Sequence, residues 1–334
     1  MKACILDSTA DVSTKPLRYD DIERPQPGPG EILVKVECCG ICRTDLHVVE
    51  GELPVRRSPL IPGHQVVGTV AGFGEGADGF AEGDRVGIAW LHKTCGKCRF
   101  CLKGKENLCE SPDFTGWTCD GGFAEYATVP AGFAYPLPED LSAENAAPLL
   151  CAGIIGYRAL RLTGIGDWNG ARLGIYGFGA AGHVAIQLAR HRGADVYVAT
   201  RDRERHQALA SELGAVWIGD TYDIPPDTLD ASIIFAPAGE IVPPALEGLD
   251  KGGSLVLGGI YMSPIPEFEY DLLYGERIIR SVANNTREDG REFLKEAAAA
   301  GVKTSIQTFP LSEANEALIS LKSDAIRGAG VLVV

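Results

Sequence analysis

Over the first 135 residues, apolar and polar positions alternate in short runs. Residues 32–36 (ILVKV), 66–70 (VVGTV), 85–89 (RVGIA) and 123–127 (FAEYA) each fit a strand. Turn signals such as Pro27-Gly28-Pro29-Gly30 and Glu82-Gly83-Asp84 separate them. The pattern predicts a β-rich, antiparallel region. Its character changes near Ser142. From there to about residue 283, strand-like runs at 173–176, 196–199, 231–235 and 254–257 alternate with helical stretches at 181–192 and 203–213. Gly193 and Gly214 stop those helices. This βαβ alternation predicts a parallel, doubly wound sheet. The last fifty residues predict helices at 288–300 and 312–322 and a closing strand at 330–334, which is expected to fold back onto the first region. No internal repeat interrupts this plan.

Length and composition narrow the classes. A chain of 334 residues has room for about two domains. Apolar residues make up 45% and charged residues 23%, which excludes disorder as the main state. Lys plus Arg number 31 against 45 Asp plus Glu, a net charge of −14, so neither nucleic acid nor an anionic membrane surface is an expected partner. The longest near-apolar run, 146–157, is too short to span a bilayer. The first residues lack the apolar core of a signal peptide, so the cytoplasm is the expected compartment. Ten cysteines there point to metal binding or catalysis rather than disulfides.

The sharpest motif is Cys95-x2-Cys98-x2-Cys101-x7-Cys109. Four thiolates in a hydrophilic loop suit a closed tetrahedral zinc, and Lys93, Lys97, Arg99, Lys103 and Lys105 offset their charge. Free buried thiols are disfavoured, because the loop has no core to bury them. The first three cysteines also suit an iron–sulfur run, but the fourth lies further off and no proline follows it. A second candidate set is Cys42, His64 and Cys151. Two thiolates and an imidazole would leave one zinc position open for substrate. Spacing alone does not assemble ligands so far apart.

Gly177-x-Gly179-x-x-Gly182, with Ala180 and Ala181 inside it, follows one predicted strand and opens a helix, the arrangement that seats a dinucleotide pyrophosphate. Near the end of the next strand an acid would bind a ribose 2′-hydroxyl. Here Thr200 and Arg201 stand instead, and they suit a 2′-phosphate. NADP(H) is therefore favoured over NAD(H). A solvated, capped helix start, with Asp202 as the cap, is the competing reading of the same residues.

Taken in order, Cys42-x4-His47, Gly63-His64, the four-cysteine loop, Cys151 and the glycine turn resemble the zinc-dependent alcohol dehydrogenases of the medium-chain dehydrogenase/reductase superfamily. The resemblance covers essentially the whole chain. It implies an α/β protein with a GroES-like β-rich catalytic domain, residues 1–148 and 285–334, and a Rossmann cofactor-binding domain, residues 149–284. It implies two zinc ions per chain. Cys42, His64 and Cys151 match the catalytic-zinc ligands, and Cys95, Cys98, Cys101 and Cys109 the structural set. Thr44 matches the hydroxyl that contacts the substrate oxygen and His47 the proton exit. Asp45 matches a carboxylate behind the metal, and Arg43 and Arg327 match pyrophosphate contacts. Gln65 departs from the family's usual Glu and leaves that position neutral. No hydroxyl follows Cys151 at Ile154 or Ile155.

The implied activity is reversible hydride transfer between a primary alcohol, aliphatic or aromatic, and NADP(H). Trp90, Leu91, Trp117 and Ile260 are candidate pocket walls, with ordinary packing as the alternative. His92, His183, His191 and His206 are expected on the surface or on helices, and Cys4, Cys38, Cys39 and Cys119 as buried small side chains. A homo-oligomer, dimer or tetramer, is implied. Alternatives are an NAD-dependent relative acting on a polyol or other secondary alcohol, and a zinc-binding regulatory or nucleic-acid module.

Overall fold

The computed structural model describes residues 1–334 except Asp140, Tyr261 and Arg327. The cofactor contact expected of Arg327 lies outside the described residues. The chain forms two compact units. One comprises Met1–Cys151, Asn285–Ala298 and Lys303–Val334, the other Ala152–Asn284 and Ala299–Val302.

The first unit is built on a seven-stranded sheet. Its path runs Ile306–Pro310, Ala329–Val333, Glu31–Ile41, Gln65–Phe73, Arg85–Ile88, Ala134–Pro136, and Tyr126–Pro130 also pairs with Glu31–Ile41. All pairings are antiparallel except that between the two C-terminal strands. The closing strand lies beside Glu31–Ile41 in the register Gly330↔Ile41, so the chain end completes the first unit's sheet. Ile32, Val34, Val66, Val86, Ile88 and Val129 are almost wholly buried, and at about 1.5–3 kcal/mol each such residues supply the main drive for assembly. Gly68 is obligatory here: a Cβ would stand 2.1 Å from the Lys35 carbonyl oxygen on the neighbouring strand.

The second unit holds a six-stranded parallel sheet in the order Trp217–Gly219, Asp195–Ala199, Arg172–Tyr176, Leu229–Ile234, Leu249–Leu257, Ile278–Ser281. Numbered along the chain, the first strand sits third, the doubly wound order. Leu173, Ile175, Val196, Val198, Ile233 and Leu255 are fully buried, as strands covered on both faces require. The helix Ala180–His191 follows the first strand. Helix Ala152–Leu162 packs near it through Gly156, whose missing side chain leaves room for Ala185.

Local differences from the sequence pattern have local causes. The helix expected at 203–213 is a π-helical turn, Arg203–Gln207, running into a short α-helix, Ala208–Glu212. The backbone enters it through Asp202 at φ 70°, and the Asp202 carboxylate caps the Arg205 N–H. The helix expected at 312–322 starts later, at Ala314, because a 3-10 turn, Leu311–Glu313, precedes it. His92 is neither on the surface nor on a helix. It is buried on the strand Leu91–Lys93, with Nδ1 3.3 Å from the Thr115 hydroxyl. Cys119 is half-buried rather than enclosed. Among the described residues, no helix is long and apolar enough to cross a membrane.

One ion pair fastens the cysteine loop to the C-terminal segment of the same unit. Glu106 accepts from Arg287 Nε at 2.8 Å, Nη2 at 2.9 Å and the backbone N–H at 2.9 Å. The Arg287 hydrogen bonds hold the Glu106 carboxyl below its usual range despite partial burial. Glu106→Gln is expected to cost about 1–3 kcal/mol in urea unfolding. Because the folded value is depressed, this contribution is fully present above the unfolded value of about 4.3. It is lost as pH falls through the folded value, so the gap between wild type and variant should close on acidification.

Candidate active site

The four loop cysteines converge. Cys95, Cys98, Cys101 and Cys109 place their sulfurs within 4.8 Å of one another. Cys98 and Cys101 are 3.6 Å apart, Cys95 and Cys109 3.5 Å. A tetrahedral zinc with Zn–S bonds of about 2.3 Å separates its sulfurs by about 3.8 Å, so the set fits a closed site. Backbone N–H groups point at the sulfurs: Cys95 N at Cys109, Cys98 N at Cys95, and Ser111 N at Cys109. Backbone N–H groups of Cys101 and Glu110 pull the Cys98 thiol down to about 6, and those of Lys97 and Cys98 lower Cys95 as well. Desolvation pushes Cys101 up to about 11, a proton a metal would displace. Leu102 is 74% exposed, so this loop has little core of its own for a metal to supplement.

The second set is assembled from three places. Cys42 follows the strand Glu31–Ile41 and caps the helix Arg43–Val49, its sulfur accepting from Thr44 N. His64 precedes Gln65–Phe73, the strand paired with Glu31–Ile41 through Gly40↔Gln65. Cys151 ends the turn Ala147–Leu150. Cys42 Sγ lies 3.5 Å from His64 Nε2 and 4.0 Å from Cys151 Sγ. Ligand bonds of about 2.3 Å to sulfur and 2.0–2.1 Å to nitrogen give an S···N edge of about 3.5–3.6 Å. Two thiolates and an imidazole at these distances fit an open tetrahedral zinc site.

Asp45 organises the set. One carboxylate oxygen lies 3.0 Å from His64 Nδ1, and the other accepts the Cys42 N–H at 2.8 Å. Nδ1 therefore carries the proton and Nε2 faces the sulfurs, as a metal-ligating imidazole needs. His64 is buried, which disfavours its charged form, yet Asp45 and Cys42 outweigh burial and raise it to about 10. The Cys151 thiol, donating to Cys42, drives the Cys42 thiol well below its usual value and Cys151 well above. A dication would replace the protons the three groups share.

Around the cradle, Thr44 is buried, and His47 is half-buried beside Glu52, with which it pairs. Gln65 is buried, and no acceptor reaches its Nε2 among the described residues. Trp90 meets the His64 ring edge-on at 5.1 Å and stacks on Phe114 at 5.0 Å and Trp117 at 5.8 Å. Phe114 belongs to this wall and was not among the sequence candidates. Its signal was faint: the two-residue strand Asp113–Phe114, paired through Leu91↔Phe114. Leu91 does not share the wall's exposure; it is 1% exposed and packed in the core. Ile260 belongs to the second unit and is exposed.

In the second unit, Gly177 turns at φ 85°, and a Cβ there would meet Ala236 N at 2.8 Å. Gly179, where a Cβ would have open space, caps the helix Ala180–His191, and Ala180 and Ala181 are its first residues. At Gly182 a Cβ would stand 3.0 Å from Gly177 O, so helix and turn pack tightly. Such a helix start presents N–H groups to an anion. Thr200 is buried, and its hydroxyl accepts from Phe178 N at 3.3 Å, bracing the turn. Arg201 is exposed, while Arg205 pairs with Asp202. In the first unit, exposed Arg43 pairs with Asp324.

Two family models match the chain: an alcohol dehydrogenase GroES-like domain over residues 28–139 and a zinc-binding dehydrogenase over 180–299. A Mycobacterium tuberculosis protein named "Probable alcohol dehydrogenase AdhA" is 49% identical over 97% of this chain and 94% of its own. Among solved structures, a cinnamyl alcohol dehydrogenase of Sorghum bicolor is 29% identical, with a TM-score of 0.89 over 99% of this chain and 97% of that one. An acetophenone reductase of Geotrichum candidum, in complex with NAD, is 27% identical, with a TM-score of 0.87 over 100% and 97%.

The two cysteine sets should respond differently to mutation. Cys98→Ser is expected to lose one metal equivalent and to lower urea stability by several kcal/mol, because a loop with so little apolar core would depend on a metal held by its four sulfurs. Cys42→Ser is expected to lose one equivalent with stability changed by less than about 1.5 kcal/mol. Elemental analysis alongside urea titration reads both.

Proposed function

The chain belongs to the zinc-dependent alcohol dehydrogenases of the medium-chain dehydrogenase/reductase superfamily, and on that premise we propose that it interconverts uncharged primary alcohols, aliphatic or aromatic, and their aldehydes with NADP(H). The observation that carries this reading is the cradle of Cys42, His64 and Cys151 with Asp45 behind it. In the forward direction an alcohol and NADP⁺ become an aldehyde, NADPH and a proton. When bound, zinc supplies Lewis acidity toward the alcohol and the nicotinamide accepts the hydride. Cys42 and Cys151 hold the metal as thiolates and His64 through Nε2. Asp45 keeps the His64 ring in the required tautomer and orientation. Thr44 would relay the alcohol proton, giving up its own hydroxyl proton as it accepts the substrate's, and His47, half-buried beside Glu52, would hand a proton on to solvent.

Substrate class follows from the wall beside His64. Trp90, Phe114 and Trp117 offer stacked aromatic faces, which favour apolar and aromatic substrates. The Sorghum relative, which acts on an aromatic primary alcohol by its name, supports the same choice. The cofactor preference rests on this chain's own residues, since the acetophenone reductase carries NAD. No carboxylate ends the strand Asp195–Ala199 where a 2′-phosphate would be repelled. Thr200, whose hydroxyl also accepts from Phe178 N, and Arg201 are the proposed partners of that phosphate, with Arg201 supplying the cation, and Gly177, Gly179 and Gly182 shape the pyrophosphate seat. The proposal includes two zinc ions per chain, a homo-oligomer (dimer or tetramer) and a cytoplasmic setting. It takes residues 1–148 and 285–334 as the catalytic domain and 149–284 as the cofactor domain.

Two kinetic outcomes test it. Arg201→Ala is expected to raise KM for NADPH by roughly tenfold while leaving KM for NADH within about twofold. Equal effects on both would remove the 2′-phosphate contact. Thr44→Ala is expected to slow hydride transfer by about a hundredfold, and Thr44→Ser to retain most of the rate. Equal losses in the two variants would remove the proton relay.

A further inference from the structure

The segment that delivers His64 is zipped to the segment that carries Trp117. Ile61 O accepts from Gly121 N at 2.7 Å, Gly63 O from Gly122 N at 2.9 Å and Pro62 O from Phe123 N at 3.0 Å. Upstream, Trp117 Nε1 donates to Pro54 O at 3.0 Å. The packing leaves no slack. A Cβ on Gly121 would stand 2.0 Å from Gly63 O, and Gly63 itself turns at φ 94°. One side chain serves both segments. Asp120 accepts the Ile61 N–H at 3.0 Å through one carboxylate oxygen and Arg57 Nη2 at 2.8 Å through the other.

We propose that Asp120 is a positioning residue for the metal centre. By accepting the Ile61 N–H three residues before His64, its carboxylate sets the path of the 61–64 backbone and hence the approach of His64 to Cys42 and Cys151. The proposal rests on the reading of those three residues as a metal site. Asp45 fixes the rotation of the imidazole ring, and Asp120 fixes the main chain that carries it. Ile61 is 6% exposed and its bond to Asp120 is partly buried, so without Asp120 its N–H loses a charged acceptor on the side that faces the 117–121 segment. The Arg57 contact is half-exposed at both ends and contributes little. Trp117 sits three residues before Asp120, so the aromatic wall and the metal ligand share one tether.

The test uses the full-length protein loaded with cobalt(II), whose visible absorption separates a mixed sulfur–nitrogen site from a four-sulfur site. Release to a chelator is followed in wild type, Asp120→Ala, Asp120→Asn and Arg57→Ala, with Cys42→Ser identifying the phase that belongs to the cradle. Asp120→Ala is expected to release the cradle metal roughly tenfold faster, with the four-sulfur phase unchanged. Asp120→Asn, which keeps an oxygen for Ile61 N–H, and Arg57→Ala should stay within about threefold of wild type. Should Asp120→Ala not fold, Asp120→Gln displaces the acceptor by one methylene and reads the same phase. An unchanged cradle phase, or equal acceleration of both phases, overturns the proposal. A wild type with no phase that Cys42→Ser removes overturns the metal-site reading and the proposal together.

Discussion

A single buried carboxylate holds the candidate centre in working order. Asp45 is 2% exposed and bridges two of the three ligands, the Cys42 backbone and the His64 ring. Desolvation raises its carboxyl, and the His64 ring pulls the other way. The position is expensive to ionise unless a cation is near. Once a metal displaced the protons they share, Asp45 and the thiolates of Cys42 and Cys151 would together carry three negative charges, for which a zinc dication is the natural counter-charge. The capping box that starts the helix Arg43–Val49 is thus also the device that orients His64, the proposed metal ligand. Local backbone chemistry and the geometry of the candidate site are the same hydrogen bonds.

The rest of the first unit supports that arrangement. The pairing of Glu31–Ile41 with Gln65–Phe73 brings Cys42 and His64 side by side, since each lies just beyond a paired strand end. Gly116 and Gly121 let their backbone approach the Gly63 backbone, and at Gly63 itself a Cβ would collide with the Phe123 ring. The aromatic wall then follows from the same loops, with Trp90 edge-on to His64. The four-sulfur loop has a different task. Its backbone donors and its bridge from Glu106 to Arg287 stiffen a segment with little apolar surface to bury.

How much of this was legible in the sequence depended on range. The four-cysteine loop is a local spacing, and its sulfurs do converge. The alternation of strands and helices after residue 142 was readable in part: four of the six parallel strands and the helix stopped at Gly193 were anticipated, while Trp217–Gly219, Ile278–Ser281 and the helix Ala152–Leu162 were not. Cys42, His64 and Cys151 could be named as a candidate set but not assembled from spacing, since strand pairing brings Cys42 and His64 together and Cys151 arrives on the turn Ala147–Leu150; the family resemblance gave the set its weight. The wall was half-legible. Trp90 and Trp117 stood out as large residues, whereas Phe114 depended on an unpredictable two-residue strand and Leu91 went into the core. Thr200 shows a subtler limit. Its position near the strand end was readable, but its hydroxyl turns to Phe178 N, a choice set by the folded turn. The π-helical entry at Arg203–Gln207 likewise depends on one left-handed residue, Asp202.

X-ray absorption at the zinc edge of the fully loaded protein addresses the cradle most directly. A four-sulfur site and a site of two sulfurs, one imidazole and one exchangeable oxygen average to about three sulfur neighbours and one nitrogen or oxygen neighbour per zinc. In Cys98→Ser protein that retains only the cradle metal, the average should fall to about two sulfurs with a clear imidazole contribution. A wild-type spectrum of four sulfurs per zinc, with no nitrogen shell at any loading, would contradict the account, because Cys42, His64 and Cys151 would then hold no metal.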